Sequence, residues 1–151
     1  MPPPTVRHPV PDAVMSTVDL TTFLAGAFPQ FDRAYEVAEV TDHGVVLRVP
    51  IGPEHERPGG TVSGPTMMAV ADAAAWLATL SRIGPVALAV TSSLTINFLR
   101  KPPLTADLWA QASLLKLGRR LSVSDVLIIS GKPGESGDVV AQATVTYAIP
   151  A

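Results

Sequence analysis

From Gly64 to Leu80, the stretch GPTMMAVADAAAWLATL is small or apolar apart from Thr66, Thr79 and a single charge, Asp72. A carboxylate desolvated inside an apolar helix becomes a stronger base, suited to taking a proton from water. The structural alternative is that Asp72 bonds a neighbouring helix or a subunit interface, or points to solvent.

A second candidate lies at the start of the same stretch. Gly59, Gly60 and Gly64 allow a ligand to approach the main chain closely, and the free N–H groups of a first helical turn can face a carbonyl oxygen. An ordinary capped helix after a flexible loop would use the same residues. Gly64 and Asp72 stand about 12 Å apart along one helix, too far to serve one bond within a single chain. If both act, the site lies between two subunits.

Other groups carry weaker signals. His8 lies near the N-terminus and His43 in a turn, while His55 sits in the loop before the apolar stretch and reads as a solvated loop histidine that could approach a ligand. Lys116, Arg119 and Arg120 form one basic group at a turn, and Arg100 with Lys101 form another at a strand end. Either suits the phosphates of a bound nucleotide, though turn and edge cations commonly serve solubility. No His/Asp/Glu cluster has metal-ligand spacing, and no GxSxG, P-loop or dinucleotide-binding glycine pattern is present. The absence of cysteine removes disulfides, thiolate nucleophiles and cysteine-ligated metals.

These residues need a scaffold, and composition bounds it. A chain of 151 residues with 47% hydrophobic content suits one domain with a sizeable core. Its 16% charged fraction is lower than usual, which implies more covered surface than a lone domain has, hence a homo-oligomer. A net charge of −2 argues against nucleic acid or an anionic membrane as partner. The N-terminus, with four prolines in its first nine residues and no apolar h-region, does not read as a secretory signal, so the cytoplasm is the default location. The apolar run Gly64 to Val90 is broken by Asp72, Arg82, Gly84 and Pro85, which argues against a membrane span.

Residues 1–15 read as an irregular proline-rich arm and 16–151 as one domain. STVDLTTFLAGAF predicts a short amphipathic helix with Leu20, Phe23, Leu24 and Phe28 on one side. AYEVAEV and VVLRVPI predict a hairpin, with Gly44 supplying a positive φ at its turn. A long helix follows, capped by Ser63, with Pro65 in its first turn and Gly84–Pro85 at its end. Met68, Ala71, Ala75 and Ala78 share a stripe on it that lets a neighbour come close.

Beyond it, VALAVTSSLTINFL alternates with one lapse at Ser92, which predicts a long strand with Val86, Leu88, Val90, Leu94, Ile96 and Phe98 on a buried face. LWAQASLLKL, LSVSDVLIIS and VVAQATVTYA predict further strands, the last with Val139, Ala141, Ala143, Val145 and Tyr147 on one face. Short turns between them imply an antiparallel meander. The order makes an α+β domain, a central helix against a curved antiparallel sheet.

GGTVSGPTMMAVADAAAW resembles the helix-start motif of hotdog-fold acyl-CoA thioesterases of the phenylacetate-pathway (PaaI-like) and 4-hydroxybenzoyl-CoA type. There, G-T-x-[HS]-G-G opens the central helix and an Asp or Glu stands eight residues after the first Gly of the pair. TSSLTINFLRKP, LGRRLSVSDVLI and DVVAQATVTYAIP also resemble the family's later strands, so the likeness runs from about Ala34 to Ala148.

The resemblance implies a long helix wrapped by an antiparallel sheet, in dimers or tetramers, hydrolysing a thioester without metal or organic cofactor. It makes Asp72 the general base or nucleophile and the Gly64 N–H, from the partner subunit, the oxyanion donor. Ser63 stands where the family has His or Ser, and Thr91 falls near the position of a water-orienting Ser. Pro65 replaces the second Gly, removing a backbone donor, and Arg57 stands where many members carry Asn or Gln. These two departures bear on substrate orientation and raise a non-catalytic acyl-CoA-binding protein as the alternative.

Overall fold

The computed structural model describes residues 9–31 and 34–151; the first eight residues of the expected arm, His8 among them, lie outside these. Helix α1 (Thr17–Ala27) begins on a capping box, in which the Asp19 N–H donates to Ser16 Oγ at 3.1 Å and the Ser16 N–H donates to the Asp19 carboxylate at 2.9 Å. Leu20 and Leu24 are its buried residues.

Strands β1 (Glu36–Val40) and β2 (Gly44–Val49) form the expected antiparallel hairpin. Gly44 serves it differently from the expectation, since it is not among the positive-φ glycines. A Cβ there would overlap the Ala112 carbonyl oxygen, so the glycine permits two backbones to approach rather than the chain to turn. The short strands β3 (Glu56–Arg57) and β4 (Thr61–Val62) pair next, with Gly59 and Gly60 at φ 108° and 79° between them.

Helix α2 (Gly64–Ile83) follows and at 20 residues is about 30 Å long. Ser63 Oγ accepts from the Thr66 N–H at 3.2 Å, and Gly84 at φ 93° ends the helix just ahead of Pro85. Strands β5 (Val90–Phe98), β6 (Leu108–Leu117), β7 (Leu121–Ser130) and β8 (Asp138–Ala148) complete a six-stranded antiparallel sheet of order β1-β2-β6-β7-β8-β5. The architecture is α+β, with the long helix packed against the antiparallel sheet, as the hotdog fold requires.

The topology corrects the simple meander. Of the four long strands after α2, β6, β7 and β8 run on consecutively, while β5 pairs with β8 at the sheet's edge. With a single neighbour, β5 buries little: Leu94 and Ile96 are half-buried, and Val90 and Phe98 are 58% and 49% exposed. Val86 and Leu88 precede the strand and Leu88 is exposed, so neither belongs to the predicted face. In β8 a register shift beside Ile128 and Ile129 turns Val140 inward and leaves Val139 exposed, reversing the expected parity at that end.

The helix is buried unevenly. From Ala74 to Arg82 every residue is buried, and Ala71, Ala74, Ala75 and Ala78 have no exposed surface. Met68 departs from the stripe expected of it and is 42% exposed. Thr79 Oγ1 donates to the Ala75 carbonyl at 2.9 Å and lies 2.8 Å from Ser122 Oγ, which ties the helix to β7. At the helix end the Arg82 guanidinium donates to the carbonyls of Pro11, Thr41 and Gly44, and the Ser81 carbonyl accepts the N–H groups of Val14 and Met15. Residues 9–16 form no helix or strand, yet this segment is tied to the domain. Burial lowers the Arg82 pKa, against the nearby charges of Asp42 and Asp12.

Two tyrosines pack onto this frame. Burial, then the charge of Asp72, pushes the Tyr35 phenol above the ordinary range, and burial is also the main cause raising Tyr147. Above about pH 10 an unfolded tyrosine loses its proton while these two keep theirs. Stability is therefore expected to be unaffected by them below that pH and to fall above it; denaturant midpoints on either side check this, and Tyr147→Phe should flatten the decline. Gly44→Ala should lower stability by about 1–3 kcal/mol through backbone overlap, and a wild-type denaturation midpoint would contradict that account.

Candidate active site

Asp72 sits near the middle of α2, where the helix passes from its open half to its buried half, and is itself half-buried. Thr91 Oγ1 donates to Asp72 Oδ1 at 2.6 Å, and Tyr147 OH donates to the same oxygen at 2.7 Å. The phenol also lies 3.1 Å from the Asp72 main-chain carbonyl oxygen. The expectation of a carboxylate stranded among apolar side chains is thus corrected: two hydroxyl donors compensate its partial burial.

The carboxylate faces a cavity of about 470 Å³. Its apolar wall includes Leu24, Phe28, Trp76, Ala89 and Val90, and Tyr35 adds a phenol. Trp76 holds this wall together, with Phe28 edge-on at 5.3 Å between ring centroids and Phe23 tilted at 5.8 Å. Tyr147 stays protonated, because burial foremost and then its bond to Asp72 raise its pKa, although the Thr91 hydroxyl acts the other way. An acyl chain could lie along the apolar wall while its carbonyl carbon stays near the carboxylate.

The other expected residues gather at the start of α2. Gly64 is the first helical residue, and its N–H falls among those that no helical carbonyl reaches. The Phe98 ring lies 3.4 Å from where a Gly64 Cβ would sit. Ser63 is engaged as the cap, its Oγ 2.8 Å from Thr66 Oγ1 and its N–H donated to the His55 carbonyl. Pro65 is exposed in the first turn, Arg57 is exposed on β3, and Gly60 closes the turn after it by donating its N–H to the Arg57 carbonyl. His55 Nδ1 accepts the Gly52 N–H at 3.0 Å, so this histidine holds its own loop. Because α2 is continuous, this cluster stays about 12 Å from Asp72 within one chain.

The two basic groups are far apart. Arg100 and Lys101 line a second cavity of about 320 Å³ with Ser130, Ser136 and Asp138. This segment adjoins the start of α2, since the Val62 N–H donates to the Pro102 carbonyl at 3.0 Å and Thr61 bridges to Pro103. Lys116, Arg119 and Arg120 are exposed beside the opposite end of β8, near Ala148. The length of β8, about 34 Å at 3.4 Å per residue, separates the two groups. Among the described residues no cluster of three or more His, Asp or Glu side chains could hold a metal, and no helix is long and apolar enough to cross a membrane.

Sequence reasoning brought Asp72 and Thr91 forward but read Tyr147 only as a core residue and did not assemble Phe28, Tyr35 and Trp76 into one wall. The only local sign was Tyr147 at the end of an apolar face, where its hydroxyl needs a polar partner.

Comparison with known proteins gives the family of the chain. The family model described as the thioesterase superfamily matches residues 59–137, which include Gly64, Asp72 and Thr91. A candidate thioesterase from Silicibacter sp. TM1040 is 38% identical, the match covering 93% of this chain and 95% of that one at a TM-score of 0.82. A mutant of the phenylacetic acid degradation protein PaaI from Thermus thermophilus is 27% identical over 81% of this chain and 99% of its own, at a TM-score of 0.69. A candidate esterase from Thermoplasma acidophilum is 27% identical over 115 residues, 76% of this chain and 83% of that protein. The chain belongs to the thioesterase superfamily and is a thioester hydrolase.

Proposed function

We propose that the protein hydrolyses acyl-CoA thioesters to a carboxylate and free coenzyme A. The observation that carries this reading is Asp72, held by two hydroxyl donors at the wall of an apolar cavity. The carboxylate takes a proton from water, and the resulting hydroxide attacks the thioester carbon. A tetrahedral oxyanion forms and accepts a hydrogen bond from the Gly64 N–H. Its collapse breaks the carbon–sulfur bond, and the proton on Asp72 passes to the departing coenzyme A thiolate. Direct attack by the carboxylate would reach the same products through a mixed anhydride that water then cleaves. Coenzyme A enters only as part of the substrate, and the reading calls for no metal or organic cofactor.

The separation of Gly64 and Asp72 supports a site completed by a second copy of the chain, in a dimer or a homotetramer. Pro65, Met68, Ala69 and Asp72 recur at helical spacing on the open side of α2, and β5 leaves one edge unpaired, so both elements offer surface to such a copy. On this reading Arg100 and Lys101 are better placed than Lys116, Arg119 and Arg120 for the phosphates of a thioester polarised by the same chain's Gly64. A cytoplasmic location belongs to the same proposal.

The test is free-thiol release from short, medium, long and aromatic acyl-CoAs, with wild type beside Asp72→Asn. The variant is expected to lose about 100- to 10,000-fold in kcat while keeping the wild-type circular dichroism spectrum. Undiminished turnover would overturn the role of Asp72, and a monomer active at the full rate would overturn the shared site.

A further inference from the structure

Tyr147 lies 75 residues beyond Asp72 and is brought to it only by the packing of β8 against α2. Its phenol and the Thr91 hydroxyl converge on one carboxylate oxygen, Oδ1, at 2.7 and 2.6 Å. Among the described residues Oδ2 receives no hydrogen bond. A carboxylate oxygen that already accepts two short hydrogen bonds is a poor proton acceptor, because its lone pairs are committed. The second oxygen of the same group is then the one left to react. The two donors also come from adjacent strands, with Thr91 on β5 opposite Tyr147 on β8, so they restrain the carboxylate from two sides.

We propose that Tyr147 is a positioning residue that acts together with Thr91, the pair saturating Asp72 Oδ1 so that Oδ2 alone is presented to water and the thioester. The assignment rests on the thioesterase reading above. The register supports it: the bulge at Ser92 lets Thr91 stand opposite Tyr147 while Ser93 stands opposite Thr146. Without the extra residue, the alternation along β5 would turn one of these positions to the other face of the sheet. The double contact of the phenol, to the side chain and to the main chain of Asp72, holds the carboxylate relative to its own helix. The titratable groups that feel the Asp72 charge are Tyr147 on β8 and Tyr35 ahead of β1, and both remain neutral below the tyrosine range.

The experiment compares Tyr147→Phe, Thr91→Val, Thr91→Ser and Asp72→Asn with the wild type, using an acyl-CoA that the wild type turns over. Tyr147→Phe removes one oxygen and keeps the ring, and is expected to lower kcat about tenfold or more with KM nearly unchanged. Thr91→Val should act in the same direction, while Thr91→Ser, which keeps a hydroxyl, should restore most of the rate. A merely structural role for Tyr147 would instead lower the melting temperature and leave kcat of the folded fraction untouched, and that result overturns the proposal.

A second readout is the crystal structure of Tyr147→Phe beside that of the wild type. The Asp72 carboxylate is expected to leave its place between Thr91 and the ring at position 147, and a carboxylate that keeps that place overturns the proposal. This readout does not depend on turnover: if Asp72→Asn hydrolyses acyl-CoA as fast as wild type, the thioesterase mechanism fails, and the position of the carboxylate still decides whether Tyr147 holds it.

Discussion

The closeness of α2 to the sheet is the constraint on which the rest of this molecule depends. Alanines at 71, 74, 75 and 78, all without exposed surface, let the helix lie against the strands at short range. Leu77 and Leu80 then fill the space between the layers. Larger residues in the stripe would lift the helix and carry Asp72 away from Thr91 and Tyr147, whose bonds to it leave no slack at 2.6 and 2.7 Å. Packing density and the chemistry of the site are therefore one requirement, met by small side chains.

The helix is continuous, and this keeps the two candidate groups apart. Its first turn carries Gly64, whose N–H no helical carbonyl reaches, and its middle carries the carboxylate of Asp72, about 12 Å away. No rotamer closes that gap. The burial pattern marks the same division: the C-terminal half is enclosed by its own sheet, whereas Pro65, Met68 and Ala69 stand exposed on the other half. On the proposed reading, this open half of the helix and the edge strand β5 are the surfaces that a second copy would cover.

Much of this frame was legible because its signals are local. Ser63, Gly84 and Pro85 act through their own backbone geometry, so the ends of α2 could be read directly. The lapse in alternation at Ser92 coincides with the bulge between Thr91 and Ser93, since an extra residue disturbs sequence pattern and strand register alike. Gly44 was misread because a glycine at a turn and a glycine under a crossing strand look the same until Ala112 is placed over it. Val139 and Met68 were misplaced for related reasons: a bulge inverted one, and the other stands beyond the reach of the sheet.

Residue order alone determined the two helices and the long strands, though it read the short β3–β4 pair as loop, and it singled out Asp72 as a charge in an apolar helix, because periodicity, caps and turn residues act over a few neighbouring positions. Tertiary structure decided what that charge meets. The bond from Tyr147 spans 75 residues, and the cavity wall joins Leu24 and Phe28 from the α1 region to Trp76 on α2 and Val90 on β5. Such partnerships depend on strand order and register, which emerge only when the whole sheet closes on the helix.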